Sequence, residues 1–135
     1  MEHIKNEDMC LDVEQADTLK CMGIDMTDTM FVYVRKKPGN KLHVEEEYIH
    51  DDYSLCMNND WIRFNDTEYV NTMTEQEMIH LITECKDKCK LDIEHEKDVW
   101  FVSYECEAGG VSVSGLLMRD ALYDLIRWMM MNEYF

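Results

Sequence analysis

The chain has 135 residues with 13 Lys and Arg against 29 Asp and Glu, a formal net charge of −16. Its hydrophobic share of 46% with 10% aromatics is that of a globular protein, which excludes a disordered acidic tail. Residues 1–70 hold 16 acids and 7 bases and residues 71–135 hold 13 and 6, so the negative field covers the whole fold, repelling nucleic-acid phosphates and anionic membranes.

One domain spanning 1–135 is the expectation from length, with residues 1–9 as a flexible lead-in. The opening Met1-Glu2-His3-Ile4-Lys5-Asn6-Glu7-Asp8 has no apolar stretch of the signal-peptide kind, and no run is long enough to span a bilayer. A cytoplasmic protein follows, and its six Cys (10, 21, 56, 85, 89, 106) then read as free thiols. Twelve Met suit gap-filling in a core or an adaptable binding face, the core being the first choice.

In chain order, Val13, Ala16, Leu19 and Met22 recur every three residues. Asp12 with Gln15 forms a capping box, and Gly23 sits where a helix stops, so a helix over 12–22 is expected. Thr29 to Lys37 is rich in β-branched and aromatic residues, Pro38-Gly39-Asn40 turns, and Lys41 to Ile49 alternates, which predicts a hairpin. Tyr53–Met57 and Trp61–Phe64 are expected as third and fourth strands. Thr74 with Glu77 makes a second capping box and Met73 with Met78 its hydrophobic staple. Met78, Leu81, Ile82, Cys85 and Cys89 then fall on one helical face. Val99–Cys106 reads as a strand, Ala108-Gly109-Gly110 as a turn, and Val111–Val113 as its partner. A last helix from about Ser114 or Leu116 to Asn132 carries Met118, Ala121, Leu122, Leu125, Trp128, Met129 and Asn132 on one stripe, widened by Leu117, Ile126 and Met130. The order α-β-β-β-β-α-β-β-α predicts an α+β fold, an antiparallel sheet or meander with about three helices mainly on one face.

Leu11-Asp-Val-Glu-Gln-Ala16-Asp-Thr-Leu19-Lys-Cys-Met-Gly23-Ile24-Asp25, Trp100-Phe-Val-Ser-Tyr104 and Leu117-Met-Arg-Asp-Ala121-Leu122-Tyr123-Asp-Leu-Ile-Arg-Trp128 resemble small uncharacterised proteins of gut Bacteroidetes and their phages and prophages. About half of the chain carries the likeness. It implies a bacterial or phage cytoplasm and brings no chemistry with it, since the shared motifs are packing and capping patterns.

Candidate chemistry is sparse. Cys85 and Cys89, with His80 and Glu84 a turn earlier and Asp92, Glu94, His95 and Glu96 following, have metal-ligand residue types. Their spacing is no zinc-finger pattern, and the two Cys complete an apolar stripe, so no metal is expected. Gly109-Gly110 reads as a hairpin turn. No Walker or dinucleotide pattern supports a cofactor. Asp51-Asp52 and Glu45-Glu46-Glu47 read as solvated carboxylates, with divalent-metal or acid-base work as the alternative. Arg35, Lys36, Lys37 and Lys41 form one basic spot, read as edge protection before docking of an acidic partner.

The functional expectation is a non-enzymatic interaction module of phage or mobile-element origin that binds another protein through a Met- and aromatic-containing surface, without direct nucleic-acid or membrane binding. Oligomeric state has no marker in the sequence. The alternative is an acidic decoy whose carboxylates imitate phosphates and occupy a host nucleic-acid enzyme. An enzyme of unknown class ranks third.

Overall fold

The computed structural model describes residues 6–36, 53–58, 63–84, 89–106 and 109–133. The fold is α+β with two three-stranded antiparallel sheets, the class that the sequence patterns indicate. The chain divides into two compact units, Asp12–Thr72 and a discontinuous one of Met1–Leu11 with Met73–Phe135.

In the Asp12–Thr72 unit, the first long helix, α2 (Val13–Cys21), follows the one-turn α1 (Asn6–Met9) of the other unit. The Asp12 carboxylate accepts from the Gln15 N–H at 2.8 Å, and the Gln15 side chain accepts from the Asp12 N–H at 3.0 Å. Two donors that the helix cannot satisfy internally are thereby paired. Val13, Ala16 and Leu19 are buried on one face, and Gly23 follows at φ 107, in the left-handed region that favours glycine. Strand β1 (Phe31–Lys36) lies between β2 (Ser54–Met57) and β3 (Thr67–Thr72), antiparallel to both, so the connection from β2 to β3 passes from one sheet edge to the other. Register runs Phe31↔Met57 to Val34↔Ser54 on one side and Phe31↔Thr72 to Lys36↔Thr67 on the other. The expected strand at Lys41–Ile49 lies outside the described residues. So do Trp61 and Ile62. Arg63 and Phe64 are not in a strand, and pairing begins at Thr67 after the turn at Asn65-Asp66. The β-branched Thr67, Val70 and Thr72 with Tyr69 carry it.

The other unit is built from α3 (Glu75–Thr83), a meander of β4 (Lys90–Glu96), β5 (Val99–Cys106) and β6 (Gly109–Gly115), and α4 (Met118–Met131). Both halves of the Thr74–Glu77 capping box are present, and Met73 and Met78 are buried together with Ile82. The helix ends sooner than its apolar stripe implies: Glu84 is the C-cap, Cys85 lies outside the described residues, and Cys89 precedes β4. Ala121, Leu122, Leu125, Ile126 and Met129 of α4 are fully buried, whereas Trp128 is half-buried. Val102 and Tyr104 of β5 are buried on the sheet face to which Leu91, Ile93, Val111 and Val113 contribute their half-buried side chains.

Helix α4 has no side-chain cap of its own, since its N-cap is Leu117. The Glu75 carboxylate from α3 accepts from the backbone N–H of Arg119 and supplies the missing acceptor. Arg119 in turn donates from Nη1 to the Cys10 carbonyl at 2.7 Å, while Leu11 N–H donates to the Met73 carbonyl at 3.0 Å and Cys10 bridges Thr74. The amino-terminal residues are thus stitched to the start of α3 and α4.

Thr74→Ala is expected to lower stability by about 1 kcal/mol through loss of the cap, read as a shifted denaturation midpoint; an unchanged midpoint would contradict the role of the box.

Candidate functional site

Three large apolar side chains in the Asp12–Thr72 unit stand out because their backbones are tied to one another. Asn58 follows the end of β2, donates from its backbone N–H to the Met30 carbonyl at 2.9 Å, and donates from Nδ2 to the Thr29 carbonyl at 2.9 Å. Its Oδ1 accepts from Arg63 Nη2 at 3.0 Å, and the same guanidinium reaches Asn71 Oδ1 at 2.8 Å while its carbon sits 4.6 Å from the centre of the Tyr69 ring. The Tyr69 hydroxyl accepts from the Phe64 N–H at 2.9 Å. This network links Met30 and Met57, at the Phe31 end of the first sheet, to Phe64, which adjoins Thr67 at the Lys36 end; the three are 52%, 61% and 63% exposed. With the backbone already held, covering these side chains costs only their own rotamer freedom.

The opposite side of β3 holds a second arginine in a structural role. Arg35 pairs with Glu68 at 2.5 Å, the Tyr53 hydroxyl donates to the same carboxylate at 3.0 Å, and the guanidinium carbon lies 4.4 Å from the Tyr53 ring centre. The basic spot expected around Arg35, Lys36, Lys37 and Lys41 therefore has Arg35 engaged and Lys36 exposed, with Lys37 and Lys41 outside the described residues.

The second surface is the outer face of the β4-β5-β6 sheet. Asp92, Glu94 and Glu96 alternate onto it from β4, Phe101, Ser103 and Glu105 from β5, and Gly110, Ser112 and Ser114 from β6. Phe101 is 39% exposed between its cross-strand neighbours Glu94 and Ser114, and Ser103 and Ser112 hydroxyls meet at 3.2 Å.

The metal-type residues do not converge. His80 pairs with Glu84 at 2.8 Å on the exposed side of α3. Cys89 accepts from the hydroxyl of buried Tyr104 at 2.8 Å, so its sulfur contacts the interior although it is not on the helix. His95 stacks on Trp100 at 4.2 Å, on the sheet face opposite Asp92, Glu94 and Glu96. Among the described residues no three His, Cys, Asp or Glu side chains are grouped to hold a metal ion. Asp51, Asp52, Glu45, Glu46 and Glu47 lie outside the described residues. Gly109 and Gly110, expected in the turn, are instead the first two residues of β6.

Cys10, the most deeply buried described thiol, is a poor nucleophile: burial, reinforced by the nearby Glu77 charge against the opposing Arg119, pushes it up to about 11. The cap residue Glu75 escaped sequence reasoning, because nothing in the sequence links it to a helix 43 residues later. Its carboxyl is raised by burial, opposed by the N–H and charge of Arg119, and Asp124 is raised mainly by burial. Among the described residues no helix is long and apolar enough to cross a membrane. No family model, curated protein or solved structure matches the chain.

A thiol-reactive dye is expected to label exposed Cys21 and Cys56 in the native protein and Cys10 only after unfolding. Labelling of native Cys10 at the rate of the other two would contradict its burial.

Stability is expected to rise on acidification. Glu75 and Asp124 have native values above the ordinary carboxylate range, so each favours the folded state while protonated and loses that contribution as pH rises through its native value. Asp25 is lowered by its hydrogen bonds from Thr27, which gives the opposite sign, but only below the ordinary range. The melting midpoint should increase as pH falls from neutral through the native values of these two carboxyls, and Glu75→Gln should shrink the increase; an identical pH profile in that variant would rule out Glu75.

Proposed function

We propose that this chain is a non-enzymatic interaction module of phage or mobile-element origin, and that it docks another protein through the rim of Met30, Met57 and Phe64. The observation that carries the reading is the exposure of these three side chains on a backbone locked by Asn58 and Arg63. Met and Phe conform to an apolar partner surface, Met through its flexible thioether. A catalytic reading draws no support from Cys10, whose buried thiol is held protonated.

A second reading is favoured by a separate observation. Asp92, Glu94 and Glu96 form a row on one face of β4, successive members about 6.8 Å apart at the usual strand rise, a spacing on the scale of phosphates along a nucleic-acid strand. In this reading the chain is a decoy that occupies the basic groove of a nucleic-acid enzyme.

One experiment separates them: capture from bacterial lysate at low and high salt, comparing the native chain with a Met57→Ser/Phe64→Ser variant and a Glu94→Lys/Glu96→Lys variant. The rim reading expects a captured protein that survives high salt and is lost only with the first variant. Both substitutions are at exposed sites, so unfolding midpoints should stay within about 0.5 kcal/mol of the native value. Capture that vanishes at high salt and in the Lys variant alone would replace the rim with the decoy.

A further inference from the structure

The two edges of the β4-β5-β6 sheet are dressed differently. Along β4 the exposed Lys90, Asp92, Glu94 and Glu96 supply the charges by which natural sheets discourage added strands. Strand β6, Gly109-Gly-Val-Ser-Val-Ser-Gly115, carries no charge and no proline, and pairs in unbroken register from Cys106↔Gly109 to Trp100↔Gly115.

That register determines which backbone groups are free. Lys97 and Asp98, at φ 51 and 66, form the two-residue mirror-image turn between β4 and β5, so the flanking Glu96 and Val99 are a hydrogen-bonded pair. Bonding alternates along an antiparallel strand, so Val99, Phe101, Ser103 and Glu105 bond toward β4, and Trp100, Val102, Tyr104 and Cys106 toward β6. Their partners are Gly115, Val113, Val111 and Gly109. The N–H and C=O groups of Gly110, Ser112 and Ser114 point away from the sheet, all three residues are exposed, and no hydrogen bond reaches these groups from the described residues.

We infer that β6 is a strand-addition site for an extended peptide segment of a partner protein, in which long basic side chains alternate with apolar ones. Backbone pairing at Gly110, Ser112 and Ser114 supplies the affinity, and the flanking surfaces choose the side chains. On the outer face the bare Gly110 opens a depression of about 490 Å³ whose wall includes Ser103, Ser112 and Glu105, the one charge among its described lining residues. The glycine keeps it open, since a Cβ there would meet the Tyr104 carbonyl at 2.8 Å. A side chain beside Gly110 on the added strand lies two strand spacings, about 10 Å, from the Glu105 backbone, which Lys or Arg spans and a short side chain does not. Lys90, across from Glu105 on β4, has its ammonium 3.8 Å from Asp92. On the inner face the added strand runs beside half-buried Val111 and Val113, which fit apolar residues. The net charge of −16 adds attraction for a basic segment at long range. This surface is distinct from the Met30–Met57–Phe64 rim, so either assignment stands if the other fails.

The test uses the full chain and a blocked synthetic peptide of alternating Lys and Val, followed by amide hydrogen exchange. In the free protein Gly110, Ser112 and Ser114 should exchange fast while Val111 and Val113 are protected. Saturating peptide should slow the first three, and a peptide N-methylated along its pairing edge should not. Glu105→Lys should weaken the Lys-Val peptide several-fold and strengthen a Glu-Val peptide, without altering the unfolding midpoint. Unchanged exchange at the three amides under saturating peptide would overturn the proposal. So would their protection in the free protein together with a dimer in sedimentation, which would assign the edge to a second copy of the chain.

Discussion

Helix α4 starts on a leucine, and the unit of Met1–Leu11 with Met73–Phe135 depends on how that deficit is met. An uncapped helix end leaves backbone donors without acceptors, at a cost comparable to a lost hydrogen bond for each one buried. Here the acceptor comes from another helix: Glu75, itself in the first turn of α3, receives the Arg119 N–H. The guanidinium of the same arginine then reaches the Cys10 carbonyl. One carboxylate and one arginine therefore bind α3, α4 and the amino-terminal segment into one frame, on which Leu122, Leu125, Ile126 and Met129 bury their side chains. Glu75 does this against a desolvation cost that raises its pKa, so the contact adds order at the price of some stability at neutral pH.

The Asp12–Thr72 unit uses its arginines in the same way. Arg35 and Arg63 lie on opposite sides of β3, each against a tyrosine ring and each hydrogen-bonded to a neighbouring strand or loop. With 29 acids against 13 bases, the net charge of −16 presents an acidic field to partners. A basic partner surface meets attraction on approach, while affinity comes from what it covers at contact.

The sequence was most legible where the signals are local. Both capping boxes lie within four consecutive residues and both form, and the stripe of α4 matches its burial at Ala121, Leu122, Leu125, Ile126 and Met129, whereas Leu117, Met118, Trp128 and Met130 are only partly covered. Strand β4 escaped notice for a physical reason: Leu91 and Ile93 alternate with Asp, Glu and Lys, residues depleted in strands, so its period-2 pattern carries only two apolar members. Cys89 was misplaced because an i+11 spacing continues a helical face only if the helix continues, and this one stops at Thr83. The exposed Met30 and Met57 were legible only as an abundance of Met. Which Met are exposed depends on hydrogen bonds from Asn58 and Arg63 that span distant positions.

In the unit of Met1–Leu11 with Met73–Phe135, a cross-capped pair of helices supports a charged sheet with one open edge, and the Asp12–Thr72 unit displays exposed Met30, Met57 and Phe64. The cross-cap is the claim most directly open to measurement. Native-state hydrogen exchange at the Arg119 amide should show protection in the native chain, and Glu75→Ala should abolish it while raising exchange at Leu11, whose N–H bonds Met73 in the same stitch. Unaltered protection of Arg119 in that variant would contradict the account.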